Sequence, residues 1–135
     1  MGKKRALAVK VRDHNGVHVV SVSGECDMST APILKGVIQS LIPSPVEPST
    51  RLIVDLRNLE YMDSSAYWVL AAANKKIMEA GGGIALVAAS GQPVFRAIKL
   101  LKIDRMMGVF SSPEEACSFL LAGGKAGAGS ENHAF

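Results

Sequence analysis

Asp63-Ser64-Ser65 sets an acid beside two hydroxyls, and two large aromatics, Tyr67 and Trp68, follow within a turn. A hydroxyl in such a set can be a nucleophile if a base converges on it, or it can accept a phosphoryl group from another protein. It can also do neither, because Asp or Ser ahead of a helix ordinarily accepts a backbone N–H as a cap. Acid–base catalysis needs titratable groups that converge. His14 and His18 flank a turn, His133 stands near the end of the chain, and none has a Ser or Cys partner by spacing. Cys26 and Cys117 lack a CxxC or Cys/His spacing, so neither a disulfide nor a metal site is expected; they read as idle thiols of a reducing cytosol. Gly81-Gly82-Gly83 closes a helix and does not open one, unlike a phosphate-cradling loop. The expectation is a protein that is not an enzyme and carries no cofactor.

These residues must be positioned by regular elements. Leu7, Val9 and Val11 alternate with polar or small neighbours, Asn15-Gly16 follows, and Val17, Val19, Val20 and Val22 come next: a strand, a tight turn and a second strand. Thr30 before Ala31-Pro32 reads as a hydroxyl cap with Pro in the first turn. The helix it opens has Ile33, Leu34, Val37, Ile38 and Leu41 at helical spacing, and Pro43, Pro45 and Pro48 end it. Leu52–Leu56 and Ile84–Ala88 read as buried strands, with a helix from about Ser64 to Ala80 between them and the three glycines as its left-handed stop. That is a βαβ unit, so the two strands are expected to be parallel. A helix from Pro93 with Val94, Ile98 and Leu101, a strand near Met107–Phe110, and a helix opened by Ser112-Pro113-Glu114-Glu115 complete the order. The fold class is α/β: a mixed sheet packed against helices in the order ββαβαβαβα.

On a wheel at about 100° per residue, Ala66, Val69, Leu70, Ala73, Ile77 and Ala80 form one apolar stripe. Ser64, Trp68, Ala71 and Lys75 then point the opposite way, at i, i+4, i+7 and i+11, while Ser65 lies nearer the flank. Trp68 is therefore expected to face away from the core, and Trp is enriched at binding hot spots. A helix start also offers unsatisfied N–H groups and the positive end of a dipole, so a phosphoryl group on Ser64 would be tolerated by the molecule itself. It would add roughly −1.5 to −2 charges to the outward face and repel a docked partner.

With 48% apolar residues, 20% charged and only seven Phe, Trp or Tyr, the core must be mainly aliphatic. The length suits one domain, residues 7–121, between a basic tail at 1–6 and a flexible Gly/Ala-rich tail at 122–135. The net charge is +3 and the pI near 9.0. Part of the excess is Lys3-Lys4-Arg5, a short solvated run without aromatic interleaving or a second basic cluster, so no nucleic-acid partner is expected. No apolar run reaches the roughly 18 residues needed to span a bilayer, and the basic start is followed by no signal-type apolar region. The expectation is a cytoplasmic protein with no membrane insertion.

Gly24-Glu25-Cys26-Asp27, Ile53-Val-Asp-Leu56 and Tyr61-Met-Asp-Ser-Ser65 follow one another in an ordered set of segments, and that set resembles the STAS domain family. Gly24-Glu25-Cys26-Asp27 is similar to that family's Gly-Glu-Leu/Val-Asp signature. Ile53-Val-Asp-Leu56 followed by Tyr61-Met-Asp-Ser-Ser65 is similar to the strand that leads into its Asp-Ser-Ser/Thr-Gly helix start. The likeness continues through Glu79–Val87, Val94-Phe95-Arg96 with Leu100, Ile103-Asp104-Arg105, Phe110 and Glu114-Glu115-Ala116, over about residues 7–121. Single-domain bacterial members are anti-anti-sigma factors, which bind an ATP-dependent anti-sigma factor serine kinase and are released when that kinase phosphorylates them. The resemblance implies Ser64 as phosphoacceptor, with Ser65 as second choice, and Asp63 as its support. It also implies docking residues at Glu25, Asp27, Met28 and Ser29 beside Asp63, Ser65, Trp68, Ala71 and Lys75. The chain departs from the pattern at Ala66, where the family has Gly, and at Trp68, where it has a small residue; its pI is basic where an acidic balance is expected. A constitutive STAS adaptor, for example on an ABC transporter ATPase or in a signalling scaffold, is the alternative that needs no turnover at Ser64.

Overall fold

Asn15 and Gly16, at φ 53° and 81°, fold β1 (Ala8–His14) back onto β2 (Val17–Cys26), as a two-residue hairpin turn requires. The structure, a computed structural model, describes residues 5–124. β3 (Arg51–Met62), β4 (Gly83–Val87) and β5 (Gly108–Phe110) follow. The five strands lie in chain order in one sheet, antiparallel between β1 and β2 and parallel from β2 onwards. Helices α1 (Ala31–Leu41), α2 (Ser64–Glu79), α3 (Pro93–Leu100) and α4 (Pro113–Leu121) connect or follow them. The expected ββαβαβαβα order and mixed sheet are found.

Alternation along the strands divides the core between the two sheet faces. Leu52, Val54, Ile84 and Leu86 pack with Leu34 and Ile38 of α1, Leu70 and Ile77 of α2 and Ile98 of α3. Val17, Val19, Ile53, Ala85 and Val87 face the other way, where Ala116, Cys117 and Leu120 of α4 cover them. Every residue of β4 is buried, as a strand covered on both faces must be. A fully buried Leu or Ile contributes about 1.5–3 kcal/mol, so α2 is held mainly by its apolar stripe.

The ends of α2 are strongly encoded. Gly81, at φ 94°, sends its N–H to the Met78 carbonyl at 3.0 Å, and Gly82 reaches the Ile77 carbonyl at 2.9 Å, the paired bonds of a Schellman stop. Three local expectations are corrected. β3 is longer than the expected Leu52–Leu56: it starts one residue earlier, at Arg51, and ends at Met62, because the chain beyond Leu56 keeps pairing with β2 across two register shifts, which break its alternation. Thr30 occupies the cap position of α1, but its hydroxyl makes no cap bond: it donates to the Glu25 carbonyl at 2.8 Å and accepts from the Asp27 N–H at 2.9 Å. A turn of 3₁₀ helix, Ile103–Arg105, entered through Lys102 at φ 58°, interrupts the expected passage from α3 to β5. Ser112, by contrast, caps α4 as expected, accepting the Glu115 N–H at 3.2 Å. Lys3, Lys4, His133 and all of the expected 122–135 tail beyond residue 124 lie outside the described residues.

Candidate functional site

β2 and β3 are parallel neighbours, with Glu25 opposite Tyr61 and Cys26 opposite Met62, so the segments leaving their carboxyl ends emerge side by side. The Asp63 N–H donates to the Cys26 carbonyl at 3.3 Å and ties them together. An open hollow results, lined by Asp27, Met28, Ser29, Tyr61 and Asp63. Asp27 organises its rim: its carboxylate accepts the Ser29 N–H and hydroxyl at 2.9 and 2.7 Å and the Thr30 N–H at 3.2 Å, and its carbonyl accepts the Ala31 N–H at 2.7 Å. Met28 is left 81% exposed at the tip, a large apolar side chain offered to solvent.

Asp63 caps α2. Its carboxylate accepts the Ser65 N–H at 2.9 Å, and its carbonyl accepts those of Ala66 and Tyr67 at 3.1 and 3.4 Å. The supply of free helix-start donors expected for a phosphoryl group is therefore largely used: three of the first four N–H groups already have an Asp63 acceptor. Ser64 is exposed and its hydroxyl makes no hydrogen bond among the described residues, whereas Ser65 is half-buried. The helix dipole still favours negative charge there, but Asp63 and Asp27 oppose it.

The rest of the helix follows the wheel. Ala66, Val69, Leu70, Ala73 and Ile77 are buried; Ala80 is only partly so. Trp68 is 67% exposed and stands edge-on to Tyr67, with ring centroids 5.0 Å apart. Lys75 is exposed and Ala71 half-buried. Lys75 lies about 16 Å along the axis from Ser64, so the expected docking residues form a strip and do not all surround the hollow.

Glu25 faces a neighbour that sequence reasoning left in a tail. Its carboxylate accepts the Arg5 N–H at 3.2 Å, and the Arg5 guanidinium lies 3.4 Å from Glu60. The segment carrying Arg5 crosses Gly24, which sits at φ 90°; a Cβ there would clash with the Ala6 carbonyl oxygen. Tyr61, 48% exposed on the same side, was also missed as a lining residue; its signal is an aromatic directly before the buried Met62 on an alternating strand. Beneath the hollow, burial pushes the Cys26 thiol up to about 11, helped by the charges of Asp63 and Asp27.

The histidines do not join the site: His14 and His18 stay at the hairpin, where His18 Nδ1 lies 3.1 Å from Asp13. Among the described residues no group of three or more His, Cys, Asp or Glu is placed to hold a metal ion, and no helix is long and apolar enough to cross a membrane.

The model of the STAS domain matches residues 8–116. The chain is similar to the anti-sigma-F factor antagonist RsfB of Mycobacterium tuberculosis, with 32% identity over 124 residues, 91% of this chain and 97% of RsfB. It is similar to the crystal structure of an anti-sigma factor antagonist from Mycobacterium paratuberculosis, with TM-score 0.74 and 32% identity over 86% of this chain and 95% of that one. The anti-sigma factor antagonist SpoIIAA in its unphosphorylated form shares the fold, with TM-score 0.61 and 18% identity over 86% of this chain and 99% of that one.

Proposed function

The chain belongs to the STAS domain family, and from this we propose that it is an anti-sigma factor antagonist that binds an anti-sigma factor serine kinase, an ATP-binding protein, while Ser64 is unphosphorylated. A phosphoryl group on Ser64 ends that binding. The names of the relatives support the antagonist role, and one observation carries the switch: the exposed Ser64 hydroxyl stands one turn before an exposed Trp68, on the same outward stripe.

The physical basis is a charge placed where it cannot be paired. Ser65, Ala66 and Tyr67 have committed their N–H groups to Asp63, so a phosphoryl group on Ser64 keeps most of its acceptor capacity directed outwards. A partner closing over Trp68 and Met28 meets that dianion beside Asp63. Leaving such a charge unpaired at an interface costs about 2–5 kcal/mol, enough to dissociate a micromolar complex at cellular concentrations. Ala66 plays no part in docking: it is 2% exposed and belongs to the core. Trp68 does, and it calls for a partner with a recess of matching size.

The test is binding to the cognate anti-sigma kinase by calorimetry, before and after incubation with ATP, with the modified residue located by mass spectrometry. Ser64→Ala stays bound in ATP, Ser64→Asp binds at least about thirtyfold more weakly, and wild type leaves as Ser64 is modified. Retention of an ABC-type ATPase whatever the state of Ser64 would replace this reading with a constitutive adaptor, in which Ser64 is only the first residue of a helix.

A further inference from the structure

α1 and α2 pack side by side, and each returns the chain from the carboxyl end of one strand to the amino end of its parallel neighbour, so the two helices run in the same direction. Between them lies a groove of about 190 Å³. Its floor is made of core residues, Ile38, Val69 and Ala73, which are 2%, 9% and 5% exposed. Lys35 and Trp68 stand at the end where both helices begin, and Lys76 lies two turns further on, about 12 Å from Trp68 along the axis. Among the described residues no carboxylate lines the groove and neither lysine is in an ion pair.

We infer that this groove receives an amphipathic, acidic helix of the protein partner. Apolar side chains at i, i+4 and i+7 lie along the floor, and carboxylates towards either end meet Lys35 and Lys76. The inference deepens the docking function proposed above and rests on it. Length and charge carry it: 12 Å is about eight residues of helix, the span of three anchors in a helix-in-groove contact. Two unpaired ammonium groups bordering an apolar floor select an acidic occupant over a basic one. The same charges disfavour a second copy of this chain, whose exposed α2 face brings Lys75 and Lys76 with it. Trp68 belongs both to the groove and to the Ser64 stripe, so the groove opens onto the surface that a phosphoryl group changes.

The probe is a synthetic helix-forming peptide with leucines at i, i+4 and i+7 and glutamates flanking them, beside a counterpart with lysine for every glutamate. Titrated into the isotope-labelled full chain, the acidic peptide shifts the amide signals of Lys35, Ile42, Trp68 and Lys76 and moves Trp68 emission to the blue. The basic peptide binds about tenfold more weakly. In the double variant Lys35→Glu, Lys76→Glu, on two exposed positions, the preference reverses. Equal binding of both peptides, shifts confined to Asp27–Ser29 and Tyr61, or a self-dimer abolished by Trp68→Ala would each overturn the inference. The outcome is separable from the switch: a peptide that binds while the kinase leaves Ser64 unmodified keeps the groove and removes the phosphoryl mechanism. A working switch with no peptide in the groove does the reverse.

Discussion

Asp63 is joined by its N–H to the Cys26 carbonyl, 3.3 Å away, while its carboxylate holds the first turn of α2. One residue thus fixes the end of β3 to the end of β2 and sets where Ser64 begins the helix. Asp63→Ala is expected to cost about 1 kcal/mol, read from the urea midpoint, because the Ser65 N–H loses its acceptor. Asp63→Asn keeps the cap and should lie close to wild type. Equal losses in the two variants would show that charge, and not capping, is what the carboxylate provides.

Trp68 is the chain's single tryptophan and is 67% exposed, so its emission should resemble that of a solvated indole and be quenched readily by acrylamide. A buried-type, weakly quenched spectrum would contradict the outward placement. Trp68→Ala should leave stability within about 0.5 kcal/mol of wild type while weakening partner binding by about 2 kcal/mol or more.

Gly24→Ala meets both an unfavourable φ and the Ala6 carbonyl, so it should destabilise by about 2–3 kcal/mol or displace Arg5 and Ala6 from the sheet. Gly16→Ala, at a similar φ with no atom within 4 Å, isolates the conformational part, about 1 kcal/mol. If the two losses are equal in urea titrations, the close approach at Gly24 contributes nothing.

The Cys26 thiol is raised from 9.0 to about 11, so the folded state keeps its proton where the unfolded chain has lost it. The associated stability is fully present below pH 9 and is lost as pH rises through about 11, amounting to about 2–3 kcal/mol. Urea midpoints followed from pH 8 upwards should therefore fall more steeply for wild type than for Cys26→Ala. Parallel curves would place the thiol in a less protected site. Below pH 9 the thiol should also resist alkylation until the protein unfolds.

What was legible in the sequence was what local chemistry decides. α2 could be placed almost to the residue because Asp63 and the glycine triplet mark its ends and a regular stripe fills its middle. The outward position of Trp68 follows from the same periodicity. The far end of β3 was not legible, since Arg57, Asn58 and Glu60 break the pattern and only pairing with β2 keeps them extended. Thr30 carries the right side chain at the right place for a cap, yet Glu25 and Asp27 compete for its hydroxyl. The Arg5–Glu25 contact and the groove between α1 and α2 join residues far apart in the chain, and no spacing rule reports them.

The chain-order sheet has a bearing on biosynthesis. As the polypeptide leaves the ribosome, each new strand finds its neighbour already made, and β1 through α2 can assemble around Asp63 early. The opposite sheet face is closed by α4, the last described element to be translated. Every nascent intermediate of this protein therefore carries Val17, Val19 and Ile53 uncovered by their helix until Pro113–Leu121 has emerged.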